Sequence, residues 1–132
     1  MAAQPMSVLV VDDDAAIRRL LSTLLHRANA EVETVGDGDD ALARLQTRPY
    51  SVVILDLMMP KTDGFEVLDR VSESMPELLD RIIVLSAASS KKLLELNSGK
   101  RVWRVIRKPF DIDDLLRSVA DCAAQRGARL EM

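Results

Sequence analysis

The chain has 132 residues, of which 48% are hydrophobic and 30% charged, and its net charge is −3. This length and balance are typical of one globular domain with one sizeable core and exclude a disordered chain. The small net charge gives no sign of nucleic acid or membrane as a partner of the whole molecule. Because residues 1–6 lack a signal-peptide pattern and no apolar run reaches membrane length, we expect a cytoplasmic location.

The first part of the chain alternates short apolar runs with helical patterns. Residues 8–11 are Val and Leu only, which predicts a short buried strand. Apolar residues then recur at i, i+3, i+4 and i+7 as far as about Ala28, which predicts a helix. Residues 31–35 alternate polar and apolar side chains, as in a strand buried on one face, and a short second helix is predicted to end before Pro49.

The most informative stretch begins with residues 51–55, a run rich in Val and Ile that predicts a third, fully buried strand. This run delivers a single carboxylate, Asp56, to the segment that follows. Pro60 and Gly64 then break the pattern, and apolar residues resume at helical spacing as far as Met75. Asp56 is therefore expected where a strand ends and a loop begins, which is where open α/β sheets place reactive groups.

The last part of the chain contains two further strands and two further helices. Residues 82–85 predict a fourth strand, which Ser86 follows, and residues 89–96 predict a weaker helix. Residues 102–106 predict a fifth strand, and the apolar spacing within 112–123 predicts a final amphipathic helix. Five strands that alternate with five helices indicate one parallel sheet with helices on both faces.

Polar residues follow four of the five predicted strands: Asp12 and Asp13, Asp56, Ser86, and Lys108. Because the carboxyl ends of parallel strands share one edge of a sheet, we expect these side chains to meet. Each could have an ordinary role alone, such as a helix cap for Asp13 or Asp14 or a turn residue for Ser86. Three carboxylates at one edge, however, repel one another and resist ionisation. A hard cation such as Mg²⁺ relieves that repulsion, so the sequence predicts a magnesium site.

Taken together, these motifs resemble the receiver domain of the response regulators of bacterial two-component signalling systems. The resemblance rests on the spacing of Asp12-Asp13, Asp56 with Met58-Met59-Pro60 and Asp63-Gly64, Ser86-Ala87 and Lys108-Pro109-Phe110. It covers roughly residues 7 to 124, which leaves short flexible ends at 1–6 and 125–132, and no output domain is expected. The resemblance implies a flavodoxin-like, doubly wound, five-stranded parallel sheet with strand order 2-1-3-4-5.

The resemblance also implies a role for each site residue. Three would act on a phosphoryl group received from a sensor histidine kinase or a phosphotransfer protein: Asp56 as acceptor, Ser86 as hydrogen-bond donor and Lys108 as ion-pair partner. Four would supply protein ligands to Mg²⁺: Asp13 directly, Asp12 largely through water, Asp56, and Met58 through its backbone carbonyl. Such a domain catalyses only its own phosphorylation and slow dephosphorylation, and the Lys108–Pro109 peptide bond is expected to be cis.

Phosphorylation would reshape the surface of the fourth helix, the fifth strand and the fifth helix, which would bind an output protein or a second copy of the chain. Residues 91–108 carry seven basic residues against one acidic residue, which indicates either a solvated basic face or a docking surface for an acidic partner. The segment is too short to indicate direct contact with nucleic acid, and no membrane partner is expected. The aromatic residue that many receivers carry three places before the lysine is Val105 here. Trp103 shares that strand face, towards the fourth helix, if residues 102–106 form a regular strand, and whether it replaces the aromatic stays open.

Two other classes of protein stay open at this point. A phosphohydrolase of the haloacid dehalogenase type also uses an Asp after a strand, a Ser or Thr, a Lys and Mg²⁺. It needs a second Asp two residues after the nucleophile, where this chain has Met58. The other class is a receiver-like interaction module that works without phosphate, in a chain that has all five site residues. In receivers the positions of Met58 and Ala88 tune hydrolysis, and neither side chain here can orient water, so slow self-dephosphorylation is expected.

Overall fold

Five parallel strands form the sheet at the centre of the computed structural model, which describes residues 5–59, 62–87 and 102–125. The strands are β1 (Ser7–Val11), β2 (Glu31–Val35), β3 (Val52–Asp56), β4 (Ile82–Ser86) and β5 (Arg104–Arg107). They lie in the order β2-β1-β3-β4-β5, and all four pairings are parallel. The predicted fold class and strand order are therefore confirmed.

Four α-helices are described: α1 (Ala15–Arg27), α2 (Gly38–Thr47), α3 (Gly64–Ser74) and α4 (Ile112–Ala124). Helix α4 is the fifth helix of the sequence prediction, because the helix predicted at 89–96 lies outside the described residues. A short 3₁₀-helix (Pro76–Arg81), which the sequence pattern did not predict, leads from α3 into β4. None of the helices in the described ranges is long and apolar enough to cross a membrane.

Each of these α-helices begins at an aspartate whose carboxylate accepts N–H groups of the first turn: Asp14, Asp37, Asp63 and Asp111. Such a cap satisfies N–H groups that have no partner within the helix and typically contributes about 1 kcal/mol. The alternative left open for the first helix is thereby decided, since Asp14 is its cap. Asp13 remains available for other chemistry.

The core has two layers because successive side chains of a strand point to opposite faces of the sheet. On one face, Val8 and Val10 of β1 and Ile54 of β3 belong to the apolar cluster that includes buried residues of α1 and α4. On the other face, Leu9 and Leu55 belong to the cluster formed with α2 and α3. Strand β3 is buried along its whole length, so the carboxylate at its end is attached to a strand held by the core on both faces of the sheet.

The prediction that Trp103 shares a strand face with Val105 is wrong. Strand β5 begins at Arg104 and not at 102, and the chain bends at Trp103, so the alternation of faces is broken there. Trp103 belongs to the cluster that includes Leu115 of α4, whereas Val105 packs against the opposite cluster. The indole is therefore a core side chain on the α4 side of the sheet, away from the face against which Val105 packs.

Candidate functional site

Three carboxylates converge at the carboxyl edge of the sheet. Parallel pairing sets Val11 beside Leu55, so Asp12, the next residue along, lies next to Asp56 at the end of β3. Asp12, Asp13 and Asp56 can each offer one carboxylate oxygen such that these atoms all lie within 4.8 Å of one another. Asp12 and Asp56 are buried, and Asp13 is exposed. A hard divalent cation fits this donor set, because carboxylate oxygens are its preferred protein ligands.

Lys108 brings a positive charge to the same edge from the end of β5. Its Nζ lies 3.3 Å from Oδ2 of Asp12 and 3.6 Å from Oδ2 of Asp56. Its backbone N–H donates to the carbonyl oxygen of Ser86 at 2.9 Å, which ties the segment after β5 to the end of β4. The Lys108–Pro109 peptide bond is cis, as predicted.

The two buried carboxylates are bound in the same way. In Asp12, Oδ1 accepts the N–H of Asp14 at 2.9 Å, and in Asp56, Oδ1 accepts the N–H of Met58 at 3.1 Å. Each Oδ2 faces Lys108. One oxygen of each carboxylate is thus used to fix its orientation, and the other is directed to the place where the charges meet.

Burial raises the pKa of Asp56 from 3.8 to about 6, and the negative charges of Asp12 and Asp13 act in the same direction. The N–H of Met58 and the charge of Lys108 oppose this shift without cancelling it. The ionised site is therefore electrostatically strained. A cation, or any reaction that neutralises charge at Asp56, relieves that strain.

Ser86 ends β4 and is fully buried. Strand β4 pairs with β3 so that Leu85 lies beside Asp56, which places Ser86 one residue further along the same edge. Ala87, the next residue, is exposed, so the chain opens to solvent directly after Ser86. The described structure thus brings together all the predicted site residues at one end of the sheet.

Met58 contributes its backbone to this site and extends its side chain into solvent. Its N–H donates to Oδ1 of Asp56, and the residue is 46% exposed. No carboxylate is available at this position, which is where a hydrolase of the haloacid dehalogenase type needs its acid. That class of enzyme is therefore not supported by the site.

Two contacts around the site were not predicted from the sequence. A Cβ on Gly64 would lie 2.5 Å from the carbonyl oxygen of Asp56, so only glycine lets α3 begin this close to the end of β3. Arg18 of α1 donates to the carbonyl oxygen of Asp12 at 2.6 Å. The pattern identified Gly64 only as a turn residue, and an arginine on an amphipathic helix gives no signal that distinguishes it from a solvated charge.

The chain belongs to the response regulator receiver domain family, whose model matches residues 8–120. It is therefore a signalling domain of two-component systems. Members of this family work with histidine kinases and output domains. The match includes every site residue described above.

Individual relatives agree with this family. The response regulator receiver protein CpdR of Brucella abortus is 31% identical over 112 residues, which cover 85% of this chain and 92% of that protein. The transcriptional regulatory protein TrcR of Mycobacterium tuberculosis is 34% identical over 114 residues, but the match spans only 43% of its length. The response regulator TrrA of Thermotoga maritima, solved in complex with Mg²⁺ and BeF, is 32% identical with a TM-score of 0.76, and the match covers 89% of this chain and 98% of that one.

Proposed function

We propose that Asp56 accepts a phosphoryl group in a Mg²⁺-dependent reaction, and that this phosphorylation switches a protein-interaction surface. The observation that carries the proposal is the convergence of three carboxylates and Lys108, with Nζ 3.6 Å from Asp56 and 3.3 Å from Asp12. A sensor histidine kinase or a phosphotransfer protein would be the donor in a signalling pathway. Small molecules with a labile phosphoryl group would serve as donors in the laboratory.

The reaction is a transfer to the protein itself. An oxygen of Asp56 attacks phosphorus, the bond from phosphorus to the donor nitrogen or oxygen breaks, and the departing group leaves with the electron pair of that bond. The product is a mixed anhydride of the carboxylate and phosphate. Charge spreads over three phosphoryl oxygens in the transition state, and Lys108 is close enough to neutralise part of it. Ser86 would donate a hydrogen bond to the phosphoryl group from the end of the neighbouring strand.

Mg²⁺ would be held by Asp13 directly, by Asp12 largely through water, by Asp56 and by the backbone carbonyl of Met58. When bound, the ion supplies positive charge that lowers the repulsion between the carboxylates and the incoming phosphoryl oxygens. The raised pKa of Asp56 supports this assignment, since its ionised form needs a nearby cation. The complex of TrrA with Mg²⁺ and BeF supports it by similarity.

The output surface would include β5 and α4, and its partner would be the kinase, an output protein or a second copy of the chain. Most of the basic segment at 91–108 lies outside the described residues. Arg104, which is described, binds Asp114 through both carboxylate oxygens at 2.9 and 3.0 Å and Ser118 at 2.6 Å. Its charge is therefore used to tie β5 to α4, and the predicted attraction of an acidic partner would rest on the other basic residues of that segment.

The experiment that tests this function is intact-mass measurement after incubation with phosphoramidate or acetyl phosphate. The wild-type protein should gain one phosphoryl group with Mg²⁺ and none with EDTA. Asp56→Asn should gain none, whereas Asp113→Asn, the same chemical change at an exposed position of α4, should behave as wild type. Modification that persists in Asp56→Asn would contradict the proposal.

The lifetime of the phosphorylated protein provides a second test of the same site. We infer slow self-dephosphorylation because Met58, exposed beside Asp56, has no side-chain group that could orient an attacking water molecule. Met58→Asn adds such a group and should shorten the half-life, measured as the decay of the phosphorylated mass after the donor is removed. An equal half-life in the two proteins would contradict this explanation.

A further inference from the structure

Arg18 connects α1 to the turn that carries the acidic pair. Its side chain runs back towards the helix N-terminus, as long helical side chains do, and Nη1 donates to the carbonyl oxygen of Asp12 at 2.6 Å. Its own backbone N–H donates to the carbonyl oxygen of Asp14 at 3.0 Å. One residue is thus bonded to both sides of Asp13, through the backbone of its two neighbours.

The hydrogen bond from Arg18 fixes the orientation of the peptide group between Asp12 and Asp13. Asp12 lies one residue beyond the end of β1, where the ladder of the strand stops. Its N–H donates to the carbonyl oxygen of Val35 at 3.2 Å, and its Oδ1 accepts from Asp14. With Arg18 on its carbonyl, the N–H, the carbonyl and the side chain of Asp12 are all held. A rotation of this peptide would move the carboxylates of Asp12 and Asp13 together.

Gly36 gives the guanidinium the room to make this bond. A Cβ at this position would lie 3.1 Å from Nη1 and 3.6 Å from Cζ of Arg18. Gly36 directly follows β2, so the guanidinium lies between the ends of β1 and β2. A methyl group on Gly36 would therefore press on the atom that holds Asp12, without removing any charge or hydrogen-bonding group.

We propose that Arg18 is a positioning residue of the metal site: its guanidinium fixes the Asp12 peptide and thereby holds the carboxylates of Asp12 and Asp13 within reach of one Mg²⁺ ion. This inference rests on the proposed function for the identity of the ion. Residues that orient metal ligands without touching the metal commonly change its affinity by about tenfold or more.

The positive charge of Arg18 and its hydrogen bond to Asp12 should change the affinity for Mg²⁺ in opposite directions, which makes the proposal testable. A guanidinium close to a cation site repels the cation, so if charge alone mattered, its removal would strengthen Mg²⁺ binding. If Arg18 acts by holding the peptide, its removal weakens Mg²⁺ binding, because the carboxylates must then be ordered when the ion binds. The two effects predict changes of opposite sign.

The experiment is calorimetric titration of Mg²⁺ into the wild-type protein and three variants. Arg18→Met keeps the length of the side chain without charge or donor, and Arg18→Lys keeps charge and one donor. Arg19→Met, the same change at the exposed neighbouring residue, is the matched control. Thermal unfolding in EDTA establishes that each variant is folded before titration.

We expect Arg18→Met to weaken Mg²⁺ binding roughly tenfold, Arg18→Lys to recover part of the loss, and Arg19→Met to bind as wild type. Gly36→Ala should weaken binding in the wild-type background and have no further effect when combined with Arg18→Met, because both changes disturb one contact. Unchanged or tighter binding in Arg18→Met would overturn the proposal, as would full additivity of the Gly36 and Arg18 changes.

Failure of this proposal can be told apart from failure of the proposed function. Wild-type protein that binds Mg²⁺ but gains no phosphoryl group would contradict the function of Asp56, and the titrations would still decide the role of Arg18. Equal Mg²⁺ affinity in wild type and Arg18→Met, with normal phosphorylation of Asp56, would contradict only the role of Arg18.

Discussion

Replacement of Asp56 by asparagine should stabilise the metal-free protein at neutral pH. The pKa of Asp56 is raised from 3.8 to about 6 in the folded state, chiefly by burial, so the folded protein holds this proton more tightly than the unfolded chain does. Ionised Asp56 therefore lowers the free energy of unfolding. This cost is fully present above about pH 6, declines as the pH falls, and is absent below 3.8. The side chain introduced by Asp56→Asn would carry no charge and could still accept the N–H of Met58.

The size of the effect follows from that shift. About two pKa units correspond to about 3 kcal/mol, and solvent at the open edge of the site screens part of this, so we expect a gain of about 1–2 kcal/mol. For a domain of this size, each kcal/mol raises Tm by about 3–4 °C. The assay is thermal and urea unfolding of wild type and Asp56→Asn in EDTA at several pH values between 4 and 8, with Asp113→Asn as control.

The difference in stability between Asp56→Asn and wild type should depend on pH. Asp56→Asn should exceed the wild-type stability at pH 7.5 and lose that advantage as the pH falls towards 4, while Asp113→Asn should stay within about 0.5 kcal/mol of wild type throughout. Addition of Mg²⁺ should narrow the difference at pH 7.5, because the ion stabilises the wild-type site by linkage. A variant that is less stable than wild type at pH 7.5 in EDTA would refute the reasoning.

Three further predictions concern the neighbours of Asp56. Asp13→Asn should weaken Mg²⁺ binding in calorimetry and raise stability in EDTA, and a variant that is less stable without metal would contradict the repulsion between the carboxylates. Lys108→Met should slow phosphorylation by small donors about a hundredfold without weakening Mg²⁺ binding, and an unchanged rate in a phosphorylation time course would exclude Lys108 from transition-state stabilisation. Gly64→Ala should lower the free energy of unfolding by about 1–3 kcal/mol in urea titration, because its Cβ would lie 2.5 Å from backbone atoms of Asp56 and Leu57. An unchanged unfolding midpoint would contradict this steric explanation.

The sheet could be predicted from the sequence because its central strands leave little ambiguity. The runs that became β1, β3 and β4 are apolar almost throughout, and each is bounded by polar or turn residues. The order of residue types at the strand ends then indicated the candidate site, since parallel strands bring those ends together. Local pattern was sufficient for these features.

The features that were missed depend on tertiary contacts. Trp103 was assigned by strict alternation to the face of Val105, but the chain bends before β5 and the indole is accommodated in the core beneath α4. Arg18 looks like any other charged residue of an amphipathic helix until the carbonyl that it binds is known. The 3₁₀-helix at Pro76–Arg81 was hidden because six residues are too few for a helical period to be read.

The most direct test of phosphorylation at Asp56 is to identify the side chain that carries the phosphoryl group. Borohydride reduces an acyl phosphate to an alcohol but leaves carboxylates and phosphate esters intact, so it would convert phosphorylated Asp56 to homoserine. After treatment with phosphoramidate and Mg²⁺, peptide mass spectrometry should find homoserine at position 56 and at no other aspartate, and no conversion when EDTA replaces Mg²⁺. Homoserine at Asp12 or Asp13, or a phosphate that survives reduction on Ser86, would contradict the account.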